Sequence, residues 1–297
     1  MKIIALSDLH VDSNNTTWAN RSLKICEKVA SLEADVLLFG GDMAASYNPN
    51  NPNDSMNQAF KILGQFKGTK LWYAGNNDLE TLKTSSLDQY FQELHVRFQT
   101  HGFHLLDKEP VVIEDIGFMG NVGWYDSSFF DILPNHETNP NFPKNLHDAR
   151  QRAEHYFSTM EFAGIVNEGF TSEDFFLQCW NKLKQDAKKL QVDPKVNSIV
   201  VGTHFVGADK FIQYGENPKY DYYNLFMGSR SFAQIYNHSK VSLALVGHTH
   251  RDDNHLVGNQ RVFNISSTSR QPYNEFELIK SADQYKIIWT IPRGDLK

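Results

Sequence analysis

The stretch Lys2-Ile3-Ile4-Ala5-Leu6-Ser7-Asp8-Leu9-His10 sets a short apolar run directly against an Asp-x-His pair. A continuous apolar run of this length, bounded by polar residues, suits a strand buried on both faces. The arrangement recurs four times. Val36–Phe39 leads into Gly40-Gly41-Asp42, and Leu71–Ala74 into Gly75-Asn76-Asn77-Asp78. Ile199–Val201 leads into Gly202-Thr203-His204, and Val241–Val246 into Gly247-His248-Thr249-His250. The five motifs hold Asp, Asn and His side chains, the usual ligands of a hard or borderline divalent metal. Four carry a glycine that lets the backbone turn tightly. In an open α/β sheet, ligands bind just beyond the carboxyl ends of the strands. The pattern therefore predicts five strands delivering metal ligands to one edge of one sheet.

The intervening sequence alternates between strand and helix. Leu23, Cys26, Val29 and Ala30 fall at helical spacing, as do Met56, Ala59, Phe60, Leu63 and Phe66. Leu87, Phe91, Leu94 and Phe98 form a third helical stripe. Strands alternating with helices imply a parallel or mixed sheet with helices on its faces. Phe103–Leu106, Val111–Glu114 and Gly117–Asn121 read as further strands. Residues 133–146 hold three prolines and four asparagines and read as loop. Two helices are expected after them. In the second, Thr171 and Asp174 resemble a capping box, Phe176, Cys179, Leu183, Ala187 and Leu190 form the stripe, and Asp193-Pro194 ends it. Residues 126–195 are expected to be an insertion or cap within a single domain spanning 1–297, either lining the substrate pocket or purely packing. Gly258-Asn259 and residues 282–284 mark two hairpins near the end.

Composition narrows the function classes. The 297 residues are 40% apolar and 13% aromatic, enough for a sizeable core. The net charge of −6 and the lack of a long basic run speak against an extended nucleic-acid surface. The same charge makes a metal centre more necessary if the substrate is anionic. Two cysteines, Cys26 and Cys179, sit in helix-like segments and read as small packing residues rather than a disulfide framework. A strand starting at Lys2 leaves no room for a signal peptide, and no apolar stretch reaches membrane-spanning length. A cytoplasmic protein without a membrane segment is the expectation; composition is silent on oligomeric state.

The order Asp-x-His, Gly-Asp, Gly-Asn-x-Asp, Gly-x-His, Gly-His-x-His resembles the signature of the calcineurin-like metallophosphoesterases, from Met1 to about Arg251. The resemblance implies an α/β fold, a two-sheet β-sandwich flanked by helices, with a dinuclear metal site at one end. It assigns Asp8, His10 and His250 to one metal, Asn76, His204 and His248 to the other, and Asp42 to both. It implies a phosphoester hydrolase that uses a metal-bridging hydroxide for in-line attack at phosphorus. The substrate would be a phosphate-containing small molecule or nucleotide. Two metals with two carboxylates and a hydroxide keep a charge near +1, which suits such an anion. The mixed donor set suits Mn, Fe or Zn, manganese being the ion chosen for assay.

One position departs from the family. Its third motif usually reads Gly-Asn-His-Asp, and here the His position holds Asn77. Asparagine can hydrogen-bond a phosphate but cannot transfer a proton at neutral pH. Losing a general acid costs about 10²–10⁴-fold for a poor leaving group and less for a stable one. This favours a phosphodiesterase over the alternatives, a phosphomonoesterase or phosphoprotein phosphatase. A non-catalytic scaffold is disfavoured because all seven ligand positions are filled. Asp78, with no imidazole to orient, is expected to cap the next helix. His136 and His147 are candidate replacement acids, although solvent-facing positions are the plainer reading of both. Trp124, Tyr125 and Phe205 are read as core, with stacking on a nucleobase the alternative. Arg230, Arg251 and Arg270 are candidate phosphate contacts, none singled out.

Overall fold

The computed structural model describes residues 1–12, 14–46, 50–51, 53–80, 87–132, 142–158, 170–213, 223–281 and 284–292. In chain order the strands are β1 (Lys2–Leu6), β2 (Val36–Phe39), β3 (Thr69–Trp72), β4 (Phe103–Leu105), β5 (Val111–Ile113) and β6 (Ile116–Asn121). They continue with β7 (Ser198–Thr203), β8 (Val241–Val246), β9 (Asn254–Val257), β10 (Gln260–Asn264), β11 (Asn274–Ser281) and β12 (Gln284–Thr290). The helices are α1 (Thr16–Ala30), α2 (Ser55–Leu63), α3 (Asn76–Glu80), α4 (Leu87–Gln99), α5 (Leu146–Tyr156), α6 (Ser172–Val192) and α7 (Phe232–Tyr236).

The strands form two six-stranded sheets, ordered β12-β11-β1-β2-β3-β4 and β5-β6-β7-β8-β10-β9. The expectation that all five motif strands share one sheet is overturned. β1, β2 and β3 belong to the first sheet, β7 and β8 to the second. An apolar run buried on both faces records burial and not its neighbour, so the same pattern fits one sheet or two stacked ones. What pairing adds is visible at β1. It is parallel to β2 on one side and antiparallel to β11 on the other, so β11 and β12 close off the first sheet.

Alternation within each strand supplies both faces. Ile3, Ala5, Val36, Leu38 and Leu71 meet Phe118, Val200, Leu243, Leu245 and Phe263 in the core between the sheets. Ile4, Leu6, Leu37 and Phe39 point the other way, toward Ile25, Val29, Phe60 and Leu63 of α1 and α2. At the ligand end the sheets are stitched through the residue after β1. Ser7 donates its N–H to Ile265 O at 3.0 Å, and Ser7 O accepts the Ser267 N–H at 2.9 Å.

The helices start where their caps dictate. Asn15 accepts the N–H groups of Thr17 and Trp18, and Asp54 those of Met56 and Asn57. The expected Thr171–Asp174 capping box is present at the start of α6. This helix is the crossover between the parallel strands β6 and β7 and lies against β6. Asn121 donates to Cys179 O at 2.8 Å and Trp124 Nε1 to Ser172 Oγ at 3.0 Å. Cys26 and Cys179 are buried free thiols. No helix among the described residues is long and apolar enough to cross a membrane. Thr171→Ala removes one half of the box and should lower unfolding stability by about 1 kcal/mol, read as a shifted urea midpoint at unchanged slope.

Candidate metal centre

Five of the seven candidate ligands share a conformation that side chains avoid. Asp8 (φ 57°), His10 (43°), Asp42 (58°), His248 (68°) and His250 (54°) all lie in the left-handed region. Each costs roughly 1–2 kcal/mol relative to ordinary backbone. The reversals turn the side chains that leave the ends of β1, β2 and β8 inward to one place.

The motif glycines mostly serve another purpose than the expected tight turn. Only Gly41 has positive φ (89°). A Cβ on Gly41 would lie 2.2 Å from Gly75 N, and one on Gly75 would lie 2.2 Å from Asp42 Oδ1. The glycines are there because two ligand loops run in contact, which no side chain survives. That contact lets Asp42 Oδ1 accept the Asn77 N–H at 2.8 Å, capping the first turn of α3 from another loop.

Two clusters result. The ligand atoms of Asp8, His10 and His250 lie within 4.8 Å of one another, as do those of Asp42, His204 and His248. His250 Nε2 is 3.5 Å from Asp8 Oδ1, and the His10 and His250 rings stack with centroids 4.9 Å apart. Asp42 lies between the clusters, its Oδ2 at 3.3 Å from His204 Nε2 and 3.8 Å from His10 Nε2. Asn76 opens α3 beside Asp42, largely buried. The clusters differ in exposure: the His204 side chain is 0% exposed, that of His250 45%.

Unpartnered atoms test whether these residues suit metals. Asp8 Oδ1, Asn76 Oδ1 and His204 Nε2 are buried and make no hydrogen bond. A buried polar atom left so costs about 1–3 kcal/mol. Three such atoms, each on a candidate ligand, fit a donor set that metals complete. His204 is further prepared. Its Nδ1 lies 2.8 Å from Gly40 O, so Nδ1–H donates there and Nε2 is the ring atom left facing Asp42.

Electrostatics agree. Burial opposes charge on His204, yet the Asp42 and Asp8 carboxylates raise it to about 10. Burial would raise Asp42, but His204 outweighs this and holds it well below the usual carboxylate range. His248, half-buried beside His204, is pushed down to about 3 by desolvation and the His204 charge. Without metal, one proton on His204 partly does a cation's work.

Asp78 departs from its expected role. It closes half a capping box by accepting the Gly75 N–H at 2.9 Å, but its main reach is across the gap. It also accepts the N–H groups of Asp42 at 2.8 Å and Met43 at 2.9 Å, tying the two touching loops together. Burial and the Asp42 charge push its carboxyl up to about 7.

Around the centre, Trp124, Tyr125 and Phe205 are buried and pack together, the Trp124 and Tyr125 rings stacking at 4.9 Å. Phe205 also meets the His248 ring at 4.3 Å. Arg230 is neutralised by Asp209 and Asp131. Arg251, next to His250, donates to Gln213 Oε1. Arg270 is exposed, and His147 is exposed at the start of α5. His136 lies outside the described residues. Two contributors escaped the sequence reading. Ser7 Oγ donates to Asp8 Oδ2, and the Gly40 carbonyl orients His204. Ser7 had a signal, its place directly before Asp8; a backbone carbonyl has none.

Comparison with known proteins follows the same geometry. The family profile described as calcineurin-like phosphoesterase matches residues 1–252. No curated protein matches the sequence significantly. A solved phosphopantetheinyl hydrolase (PptH) from Mycobacterium tuberculosis is similar at TM-score 0.61 and 14% identity, over 90% of this chain and 89% of that one. A putative 5′-nucleotidase from Staphylococcus aureus, solved in complex with alpha-ketoglutarate, is similar at TM-score 0.50 and 11% identity. That match covers 100% of this chain and 55% of the other, so this chain spans about half its length. At such identities the likeness is one of fold.

Two outcomes are expected. His204's folded value of about 10 lies above the ~6.5 of an unfolded histidine, so its stabilisation is complete below pH ~6.5 and fades as pH rises through the folded value. A metal ion must displace that proton. Titration calorimetry at pH 8 in buffers of different ionisation enthalpy should show about one proton released from this site, with affinity rising with pH. Second, in the metal-free protein His250→Gly should be more stable than His250→Ala by about 1 kcal/mol, because only glycine is at ease at this φ. Equal melting temperatures would refute the strain.

Proposed function

The chain belongs to the calcineurin-like phosphoesterase family and is a metal-dependent phosphoesterase, and on that premise we propose that it hydrolyses phosphodiesters. In this reading Asp8, His10 and His250 hold one divalent ion, Asn76, His204 and His248 a second, and Asp42 both. Bound there, the two ions supply positive charge for the phosphate and a water acidic enough to attack phosphorus near pH 7. The chain's own residues do the rest. His204 and Asp42 are held by Gly40 O and by the Asn77 N–H before any substrate arrives. Asp78 keeps the Asp42 and Asn76 loops in register.

The observation that carries the diester reading is Asn77. Its amide can donate to a phosphate oxygen but cannot hand a proton to the departing oxygen. The favoured substrate is one whose leaving group departs unaided, an activated phosphodiester or phosphoanhydride. The mixed oxygen and nitrogen donor set supports Mn, Fe or Zn. The names of the structural neighbours, a phosphopantetheinyl hydrolase and a 5′-nucleotidase, support a small phosphate-containing substrate. No argument favours an extended nucleic-acid surface.

Wild type and Asn77→His should be assayed on activated and unactivated mono- and diesters, with metal content measured on the same samples. The substitution should raise turnover of monoesters with poor leaving groups toward the roughly 10²–10⁴-fold that a general acid supplies, and change activated diesters little. An equal effect on all four substrates would count against the leaving-group argument. A wild type that prefers monoesters would move the assignment to a phosphomonoesterase. Asp42→Ala should leave fewer than two metals per chain.

A further inference from the structure

Tyr73 follows β3 and is fully buried between the two sheets, with no hydrogen-bond partner for its hydroxyl. Its ring crosses three glycine positions. A Cβ on Gly120 of β6 would lie 3.0 Å from Tyr73 Cδ1, and one on Gly202 of β7 would lie 2.3 Å from Cε1. A Cβ on Gly40, just after β2, would lie 2.8 Å from the hydroxyl. The ring therefore bears on bare backbone of both sheets at once. Elsewhere the gap is filled by side chains from both faces, such as Leu38, Phe118 and Leu245. At the ligand end the Tyr73 ring fills it opposite glycine, with Ile265 Cδ1 beside its hydroxyl at the Gly40 position. Beside it, Asp107 ties the sheets, accepting Ala74 N–H at 2.8 Å and Val122 N–H at 2.9 Å.

We infer that Tyr73 is a positioning residue that sets the distance between the two halves of the metal centre. The inference rests on the metal-centre reading above. Gly40 and Gly202, the backbone points on which the ring bears, belong to the motifs of Asp42 and His204. The hydrogen bond from His204 Nδ1 to Gly40 O spans this spacing at 2.8 Å. A thinner side chain lets the strand ends approach or tilt, breaks that bond and misaligns Asp42 against His204. The hydroxyl adds length but no bond, so ring bulk is the working property. Asp107 resists separation and Tyr73 resists closure; together they fix one gap.

The test compares Tyr73→Phe, Tyr73→Leu, Gly202→Ala and Phe118→Leu. Phe118 lies in the same inter-sheet core and serves as a control for lost packing. One readout needs no metal: the slowly exchanging His204 Nδ1 proton in the ¹H–¹⁵N spectrum of the metal-free protein. The others are metals per folded chain, Mn–Mn exchange coupling by EPR, and hydrolysis of bis(p-nitrophenyl) phosphate. Tyr73→Phe should keep the proton, both metals and the wild-type rate, with an unchanged or higher melting temperature, because an unpartnered buried hydroxyl is gone. Tyr73→Leu should lose the protected proton and the exchange coupling, and fall about 100-fold in rate, as misplacement by about 1 Å does. Gly202→Ala, which drives a methyl against the ring from the other sheet, should reproduce that loss and stands in if Tyr73→Leu does not fold. Phe118→Leu should lower the melting temperature only. Retention of proton, coupling and rate in Tyr73→Leu or Gly202→Ala would overturn the inference, as would equal loss in Phe118→Leu. A wild type that binds no metal would defeat the metal-centre reading, and the proton would still decide the spacing.

Discussion

The hydrogen bond from the His204 ring to the Gly40 carbonyl joins the two sheets at the level of the ligand-bearing motifs. It runs from the motif of one sheet to the motif of the other, entirely buried. Donating Nδ1–H to a carbonyl decides which nitrogen remains to bind, and the carbonyl's position decides where that nitrogen points. The stitches through Ser7, the tie at Asp107 and the ring of Tyr73 all act on the same spacing. The centre is thus a property of two stacked sheets held at one distance, and neither sheet contains it alone.

The halves of the centre have unlike surroundings. Asp42, Asn76 and His204 are buried, Asp42 accepting the Asn77 N–H and His204 donating to Gly40 O, whereas His10 and His250 meet solvent and are held mostly by each other and Asp8. Burial strengthens every charge interaction in the first half and makes any vacancy there expensive. Exposure gives the second half a direct path for ions and for an anionic ligand. On that more exposed side, Arg251 follows His250 in the chain and donates to Gln213 Oε1.

Much of this was legible in the residues. The strand runs, the helical stripes and the capping box of α6 recur in the structure close to where spacing put them, because local chemistry specifies them. The two-sheet sandwich entered only through the family resemblance. The apolar runs alone suggested one sheet, since Ile3 and Ile4 announce that both faces are covered without saying by what. The motif glycines were read as turns, and most turned out to be places where another chain segment touches. A glycine shows in sequence that a side chain is missing; what occupies the space is a tertiary fact. Asp78 was placed on its helix correctly, but its two bonds to the Asp42 loop span 35 and 36 residues and no periodicity records them. Tyr73 reads as one more apolar residue in a strand run until three glycines from three other strands are seen facing it.

The left-handed backbone at Asp8, His10, Asp42, His248 and His250 has an evolutionary consequence. Each of these residues is held against a conformational gradient that glycine, and to a lesser degree asparagine, would relieve. Asp8 and Asp42 are also held by hydrogen bonds that such a replacement would lose, but at the more exposed His10 and His250 it would make the metal-free chain more stable while emptying part of its centre. Selection for activity then retains those two histidines against the backbone's preference. A lineage released from it, for instance after gene duplication, would drift at these two positions early and toward glycine or asparagine. It would keep an intact sandwich around a site that no longer binds.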